Sequence, residues 1–225
     1  MPIYKLSKGS VEFPPPMMAD FDGLLAYGGD LSVERLVSAY SQGIFPWYNP
    51  GEEILWWCPR ERFVIFPKEL HVSRNLAKVI RRGDLVAKIN TDFSQIIASC
   101  RQAREGETWI TDEMQSAYNA LFDAGYAMCA GVYHSGTLVG GLYGVVLGKC
   151  FFGESMFSTM PNASKVALAA LCALLSQKSF AFVDCQFHTP HLERMGGRYI
   201  NWYEYRRLLR LNRGDFFIFT NPPIK

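Results

Sequence analysis

The spacing of hydrophobic and polar positions changes at about residue 62. Beyond that point, short apolar runs typical of strands alternate with segments whose apolar residues recur every three or four positions, as on one face of a helix. The predicted elements are a strand at 62–66, a helix near 73–83, a strand at 85–91, helices at 93–104 and 111–125, strands within 126–158, a helix at 162–176, a strand at 180–187 and a helix near 202–211. This order predicts an α/β (α+β) fold.

The strands within 126–158 are predicted to be partly antiparallel. Ser135 and Gly136 lie between the apolar runs MCAGVYH and TLVGGLYGVVL, and such a pair is typical of a β-hairpin turn. Because a hairpin joins antiparallel neighbours, the sequence predicts a mixed sheet.

Residues 11–60 have a different character, because they are rich in Pro, Gly and aromatic residues. Within them, DLSVERLVSAYSQGIF predicts one helix that starts at an Asp/Ser cap, has Leu36, Val37 and Tyr40 on one face, and ends before Gly43. We therefore expect a small, irregular N-terminal domain at 1–61 and a larger domain at 62–225.

The composition is that of a globular protein, with 49% apolar and 14% aromatic residues. The formal net charge is only +2, so contact with nucleic acid requires a local basic patch. The six cysteines are scattered without a C-x-x-C pair, and the four histidines form no zinc motif, which predicts reduced thiols and no metal. Without a signal-peptide pattern or an apolar run of membrane-spanning length, a cytoplasmic protein with no membrane contact is expected.

Two features suggest contact with a nucleic acid, and each has an ordinary alternative. A basic stripe on one helix face could hold phosphates or could be a solvated surface; it consists of Arg74, Lys78, Arg81 and Arg82. Four tryptophans in loop-like contexts could stack on a nucleobase or pack in the core: Trp47, Trp56, Trp57 and Trp109.

Three polar residues could form a site near strand ends. Asp184 and Gln186 are two positions apart in a predicted strand, so they are expected to face the same side, with Cys185 on the other. Glu154 stands between Phe151-Phe152 and a long apolar helix. These groups are either satisfied structural residues or a shared site that orients an amine. Because no residue clearly forms a covalent intermediate, direct attack on a bound acyl group is the simplest chemistry.

Eight strings occur in order over nearly all of residues 10–210: GLLAYGGDLS, AYSQGIFPWYNP, ILWWCPRERFV, ETWIT, LVGGLYGV, FFGESMFS, ASKVAL and DCQ. Together they resemble the leucyl/phenylalanyl-tRNA–protein transferases. The resemblance implies transfer of leucine or phenylalanine from aminoacyl-tRNA to the N-terminal Arg or Lys of a protein, in the N-end rule degradation pathway. It also implies no cofactor, and a C-terminal domain like the acyl-CoA N-acyltransferases. Methionine is a further candidate donor, because hydrophobic fit discriminates modestly.

The resemblance also implies roles for single residues. Asp184 and Gln186 correspond to a catalytic pair in which Asp184 polarises Gln186 and the Gln oxygen draws a proton from the attacking amine. Glu154 corresponds to a polar contact where the amino-acid pocket opens. Three residues are implied to hold the 3′-terminal adenosine: Trp47, Trp109 and Phe151. The pocket is implied to be formed by Leu142, Leu168, Leu171 and Val183. The tRNA acceptor stem is implied to contact Arg74, Lys78, Arg81 and Arg82.

The chain departs from the usual family pattern at one strand. Where the family usually has HSVEVW, this chain has MCAGVY, so that Met128, Cys129 and Gly131 replace His, Ser and Glu. Loss of this acid is expected to change how the positive N-terminus of the acceptor protein is held. Two other hypotheses remain: an RNA-binding protein without turnover, and an acyltransferase with a small acyl-CoA donor. The second lacks a glycine-rich pyrophosphate loop before the helix at 162–176.

Overall fold

The computed structural model describes residues 3–104, 106 and 108–214. The strands are β1 (Tyr4–Leu6), β2 (Leu24–Gly28), β3 (Phe45–Pro46), β4 (Leu55–Trp57), β5 (Glu61–Ile65), β6 (Val86–Ile89), β7 (Ala127–His134), β8 (Thr137–Leu147), β9 (Cys150–Ser158), β10 (Phe182–Asp184) and β11 (Arg198–Asn201). The helices are α1 (Val33–Ser41), α2 (Arg74–Arg82), α3 (Phe93–Gln102), α4 (Asp112–Asp123), α5 (Ala163–Gln177), α6 (Pro190–Arg194) and α7 (Trp202–Asn212). Short 3-10 turns lie at Pro16–Met18 and Pro67–Glu69.

The large sheet has seven strands in the order β11-β5-β10-β9-β8-β7-β6. Only β9 and β10 pair in parallel, and the other neighbours are antiparallel. The predicted α/β class with a mixed, partly antiparallel sheet is confirmed. The predicted hairpin is also confirmed, because Ser135 and Gly136 have φ values of 48° and 83° between the paired residues His134 and Thr137. Two positive φ values are typical of a type I′ turn.

The N-terminal segment is more regular than predicted. It forms a four-stranded sheet in the order β1-β2-β4-β3, beside helix α1. Its strands are only two to five residues long, too short for alternation to show in the sequence. The predicted cap of α1 is confirmed, because the Ser32 hydroxyl accepts a hydrogen bond from the Arg35 backbone N–H.

The two sheets share one hydrophobic core. A single cluster of buried side chains runs from Leu25 and Trp56 of the small sheet to Phe152 and Phe182 of the large one. Trp56 is fully buried, so for this tryptophan packing is the correct interpretation. Because the core is continuous, the domain boundary after residue 61 stays a prediction.

Helices pack on both faces of the large sheet and position the residues described below. Helix α5 covers one face of β7 and β8, while α1, α3 and α4 contact the sheet or one another on the other side. Among the described helices, none is long and apolar enough to span a membrane. The same described part of the chain has no group of three or more His, Cys, Asp or Glu residues that could hold a metal ion.

Candidate functional site

The candidate site lies where two strands of the large sheet separate. Strands β9 and β10 pair only between Cys150–Phe152 and Phe182–Asp184. Strand β9 continues to Ser158 beside β8, whereas β10 ends at Asp184. A cavity of about 450 Å³ is lined by residues from both diverging segments. Cavities of this volume are typical of small-molecule sites.

One wall of the cavity is apolar. It is formed by Leu142 of β8, Phe151 of β9, Val183 of β10 and Leu168 of α5, each at most 3% exposed. Leu171, predicted beside them, is fully buried in the same core cluster and is not among the lining residues. That part of the pocket prediction is corrected, because Leu171 lies about one helical turn beyond Leu168.

Several buried polar atoms of the cavity wall have no hydrogen-bond partner among the described residues. They include the Tyr143 hydroxyl, Nε2 of Gln186 and Nε2 of His191. Burial, together with nearby Lys165 and Arg194, lowers the pKa of His191, so its ring is neutral at pH 7. Buried polar groups are nearly always hydrogen-bonded. Several such exceptions around one cavity indicate a ligand that supplies their partners.

Asp184 lies behind the cavity in a buried ion pair. Its carboxylate accepts hydrogen bonds from Arg62 Nη2 at 2.5 Å and Nε at 3.3 Å, from the Tyr205 hydroxyl at 2.7 Å and from the Gln186 backbone N–H at 2.9 Å. Burial lowers the pKa of Arg62, but the attraction of Asp184 outweighs it, so the pKa lies above its ordinary value. Neither Asp184 nor Arg62 lines the cavity. Among these contacts, the one with the Gln186 backbone N–H connects Asp184 to a residue that lines the cavity.

The predicted alternation of side chains after β10 is wrong. The strand ends at Asp184, and Gln186 adopts a left-handed φ of 57°. As a result, Cys185 and Gln186 both line the cavity, and Asp184 does not. Burial raises the pKa of the Cys185 thiol well above its ordinary value, which opposes a thiolate nucleophile.

Glu154 has two hydroxyl partners from distant segments. Its Oε1 lies 2.7 Å from the Tyr40 hydroxyl of α1, and its Oε2 lies 2.8 Å from the Tyr118 hydroxyl of α4. Burial raises the pKa of Glu154 to about 7, although both hydroxyls act to lower it. The carboxyl lines the cavity, so a group that is ordinarily ionised titrates near neutrality at the candidate site.

Aromatic rings and a basic side chain line the outer part of the cavity. Trp47 and Phe187 are 44% and 45% exposed, with ring centroids 5.9 Å apart, and Trp109 also lines the cavity. Arg104 is an exposed cation of the same lining. These residues leave flat rings and one positive charge accessible to a planar or anionic ligand.

The predicted basic face of α2 is solvent-exposed but does not line the cavity. All four side chains are exposed: Arg74, Lys78, Arg81 and Arg82. Arg82 forms a 2.6 Å ion pair with Asp84, which reduces the free charge at that end of the helix.

Comparison with known proteins identifies the family. The model of the leucyl/phenylalanyl-tRNA protein transferase family matches residues 64–210, and the model of its N-terminal domain matches residues 29–60. The chain belongs to this family. It is 50% identical to the leucyl/phenylalanyl-tRNA–protein transferase of Syntrophus aciditrophicus over 93% of this chain and 89% of the relative. The protein of that name from Pseudomonas putida is also 50% identical, over 87% of this chain and 88% of the relative.

These matches confirm that the chain resembles the predicted family, and that it is a transferase enzyme. Similar solved structures include L-PGS from Bacillus licheniformis, with a TM-score of 0.40 and 10% identity over 75% of this chain and 56% of that one. A GCN5-related N-acetyltransferase-like protein from Streptococcus suis has a TM-score of 0.35 and 15% identity over 63% of this chain and 60% of that one.

The residues that depart from the usual family pattern lie away from the cavity. Met128, Cys129 and Gly131 are on β7, and none of them lines it. A Cβ atom at Gly131 would lie 3.1 Å from Ile96 and from the ring of Tyr133. In this member of the family, Gly131 therefore makes room for neighbouring side chains in the core.

Several residues of the candidate site were not expected from the sequence. Tyr143 and Phe187 line the cavity without having been singled out. Arg62 carried a usable signal, because it is a charged residue at the start of the apolar run FVIF, where a buried cation requires an acidic partner. Tyr118 carried none, since its contact with Glu154 depends on how α4 packs on the sheet.

Proposed function

We propose that this chain transfers leucine or phenylalanine, and methionine as a further donor, from aminoacyl-tRNA to the N-terminal Arg or Lys of acceptor proteins. The reaction forms a peptide bond and, in the cytoplasm, marks the acceptor for the N-end rule pathway. The observation that carries the proposal is the cavity between β9 and β10. In a member of this transferase family, it combines an apolar wall with unpartnered polar atoms.

The apolar wall fits the side chain of the donor amino acid. Leu142, Leu168 and Val183 present only hydrocarbon to the cavity, so a leucine or phenylalanine side chain gains about 1.5–3 kcal/mol by burial there. A polar or charged side chain would lose its hydration without gaining a partner. Methionine has similar length and flexibility, which supports it as a further donor.

The outer rings fit the 3′ end of the tRNA. Exposed Trp47 and half-buried Trp109 offer faces on which the terminal adenine can stack, a contact worth about 1–3 kcal/mol per base. Phe151 closes the inner end next to the acyl group. The exposed Arg74, Lys78, Arg81 and Arg82 of α2 are proposed to contact acceptor-stem phosphates.

Acceptor recognition is proposed to involve Glu154. It is the only acidic residue among the described residues that line the cavity, so its carboxyl is the group that an N-terminal amine meets there. Since Gly131 does not line the cavity, the absence of the usual family Glu at that position leaves this contact intact.

The chemistry requires positioning more than activation. An aminoacyl ester is already reactive, so holding the acceptor amine against its carbonyl carbon supplies most of the acceleration, and no cofactor is needed. Gln186 faces the cavity with an unpartnered Nε2, and its side-chain oxygen can accept an N–H of the attacking amine. Asp184 is proposed to fix the Gln186 backbone through its 2.9 Å hydrogen bond.

The proposal is tested with tRNA charged with labelled leucine and a peptide that begins with Arg or Lys. We expect label in the peptide, and none when the same peptide begins with an acetylated residue. Tyr203→Phe, at an exposed position of α7, is the matched control and should retain activity. A folded protein that binds the tRNA but transfers label to no N-terminus would refute the proposal and favour RNA binding without turnover.

A further inference from the structure

The hydroxyl and carboxyl groups around Glu154 form a closed ring of three oxygen contacts. The Tyr40 and Tyr118 hydroxyl oxygens lie 2.6 Å apart, and each also lies within 2.8 Å of one oxygen of Glu154. Oxygen atoms this close are held by a shared proton. Three contacts therefore need three protons, and the two hydroxyls supply only two. The third proton has to be on the carboxyl of Glu154.

With this proton the ring is complete. Glu154 donates to one hydroxyl, that hydroxyl donates to the other, and the second donates back to the remaining carboxyl oxygen, so each member gives one hydrogen bond and accepts one. An ionised Glu154 would leave one contact without a proton, with lone pairs facing each other at hydrogen-bonding distance. Tyr40 and Tyr118 are completely buried, so water cannot relieve that contact.

The surrounding charges are consistent with a neutral Glu154. Besides Tyr40 of α1 and Tyr118 of α4, the groups that act on it are Arg62 of β5 and Asp184 of β10, whose opposite charges are paired with each other. Tyr143 of β8 is a further buried neighbour. His191 of α6 and Arg104 line the same cavity. With burial as the largest cause, the pKa of Glu154 rises from 4.5 to about 7.

We propose that Tyr40 and Tyr118 are positioning residues that orient the neutral carboxyl of Glu154, and that this carboxyl carries the proton which aminolysis moves from nitrogen to oxygen. The inference rests on the proposed function. It assigns to Glu154 a step that Gln186 cannot perform, because a neutral amide is not a proton carrier at pH 7.

The step balances within the site. The acceptor nitrogen forms a bond to the acyl carbon, and the bond between that carbon and the ribose 3′ oxygen breaks. One oxygen of Glu154 gives its proton to the leaving ribose oxygen as the other receives a proton from the nitrogen. The carboxyl ends neutral, so the ring with Tyr40 and Tyr118 is restored for the next turnover.

The first test measures the protonation state of the Glu154 carboxyl without turnover. Infrared spectra of the wild type minus Glu154→Gln are recorded from pH 5 to 9, and we expect the carbonyl band of a protonated carboxyl that disappears with a midpoint near pH 7. In Tyr40→Phe and Tyr118→Phe, the carboxylate loses a donor, and the midpoint should rise by about one pKa unit. An ionised Glu154 at pH 6, or a midpoint that neither variant moves, would overturn the proposal.

The second test measures how kcat depends on pH. Both substrates are held constant, with saturating leucyl-tRNA and the same acceptor peptide throughout. The pH profile of wild-type kcat should then have an alkaline limb, which is a fall in kcat as the pH rises through about 7. The limb should be absent in Glu154→Gln and moved upward in the two Phe variants, because the acceptor amine titrates identically in all of them. Tyr203→Phe is the control and should leave the limb in place. A purely structural role would lower the rate at every pH without moving the limb, which would refute proton transfer.

The two tests separate this inference from the proposed function. If the wild type transfers no amino acid but the carboxyl band behaves as described, the proposed function fails and the neutral carboxyl stands. If transfer occurs without an alkaline limb, the function stands and the proton step fails. Because Tyr40 and Tyr118 are on different helices, failure of one variant to fold leaves the other available.

Discussion

Removing the Asp184 carboxylate should damage stability and activity for two different reasons. In Asp184→Ala, Arg62 stays buried at 1% exposure without its counter-ion. Breaking a buried ion pair in this way costs about 3–5 kcal/mol. For a chain of this size each kcal/mol lowers Tm by about 2–4 °C, so the expected loss is about 6–20 °C.

The double variant Arg62→Met/Asp184→Leu separates the two effects. Replacing both partners of a buried pair with apolar residues of similar volume is often neutral or stabilising, so most of the lost stability should return. Transfer activity should stay low, because the 2.9 Å hydrogen bond that fixes the Gln186 backbone is still absent. Gln186→Ala, which keeps the ion pair, should lose activity while keeping the parental Tm.

Urea unfolding followed by tryptophan fluorescence measures the first effect, and single-turnover transfer of labelled leucine measures the second. Two results would refute the reasoning. One is an Asp184→Ala protein that unfolds at the parental urea concentration, since Arg62 would then not depend on the pair. The other is a double variant that regains full transfer, since the Gln186 backbone would then not need its anchor.

Three further outcomes are expected. Gln186→Ala should lower the single-turnover rate by about 10²-fold with little change in tRNA affinity, and equal losses in both would argue against its role at the reacting amine. The pKa of Glu154 is raised from 4.5 to about 7, so between these pH values the folded state keeps a proton that the unfolded chain releases. The resulting stabilisation of the folded state is full below about pH 4.5 and is lost as the pH rises to about 7. The free energy of unfolding should change by up to about 3 kcal/mol over this range. Urea unfolding at pH 5 and 8 should therefore show a steeper pH dependence in the wild type than in Glu154→Gln, and identical slopes would contradict the shift. Arg74→Ala and Lys78→Ala should weaken tRNA binding and reduce its salt slope by about 0.7–0.9 per lost phosphate contact, whereas Lys5→Ala on the small sheet should change neither.

Much of the fold follows from local pattern. The helices α2 to α5 and α7 start and end within a few residues of their predicted bounds, and the turn at Ser135 and Gly136 was fixed by two residues. Local pattern failed where elements are very short. The strand expected at 180–187 contains only Phe182–Asp184, while α6 and β11 were not predicted at all. Elements of three to five residues carry too few periods for hydrophobic spacing to identify them.

The candidate site depended more on tertiary structure. The residues Trp47, Trp109, Phe151, Glu154 and Gln186 were expected from the family resemblance, and the structure brings all of them to one cavity. Their roles on substrates remain proposals. The position of Asp184 behind the cavity could not be expected from strand alternation, because alternation holds only while the strand continues.

The sequence by itself determined the order of the longer elements, the mixed sheet and the family, because each depends on neighbouring residues or on ordered strings along the chain. Only the tertiary structure decided which polar groups meet. Arg62 is 122 positions from Asp184, and Tyr40 is 114 positions from Glu154. Such contacts depend on the order of strands, on the separation of β9 from β10 and on the shared core of the two sheets. No local pattern encodes these features, so Glu154 acquired its partners only in the folded chain.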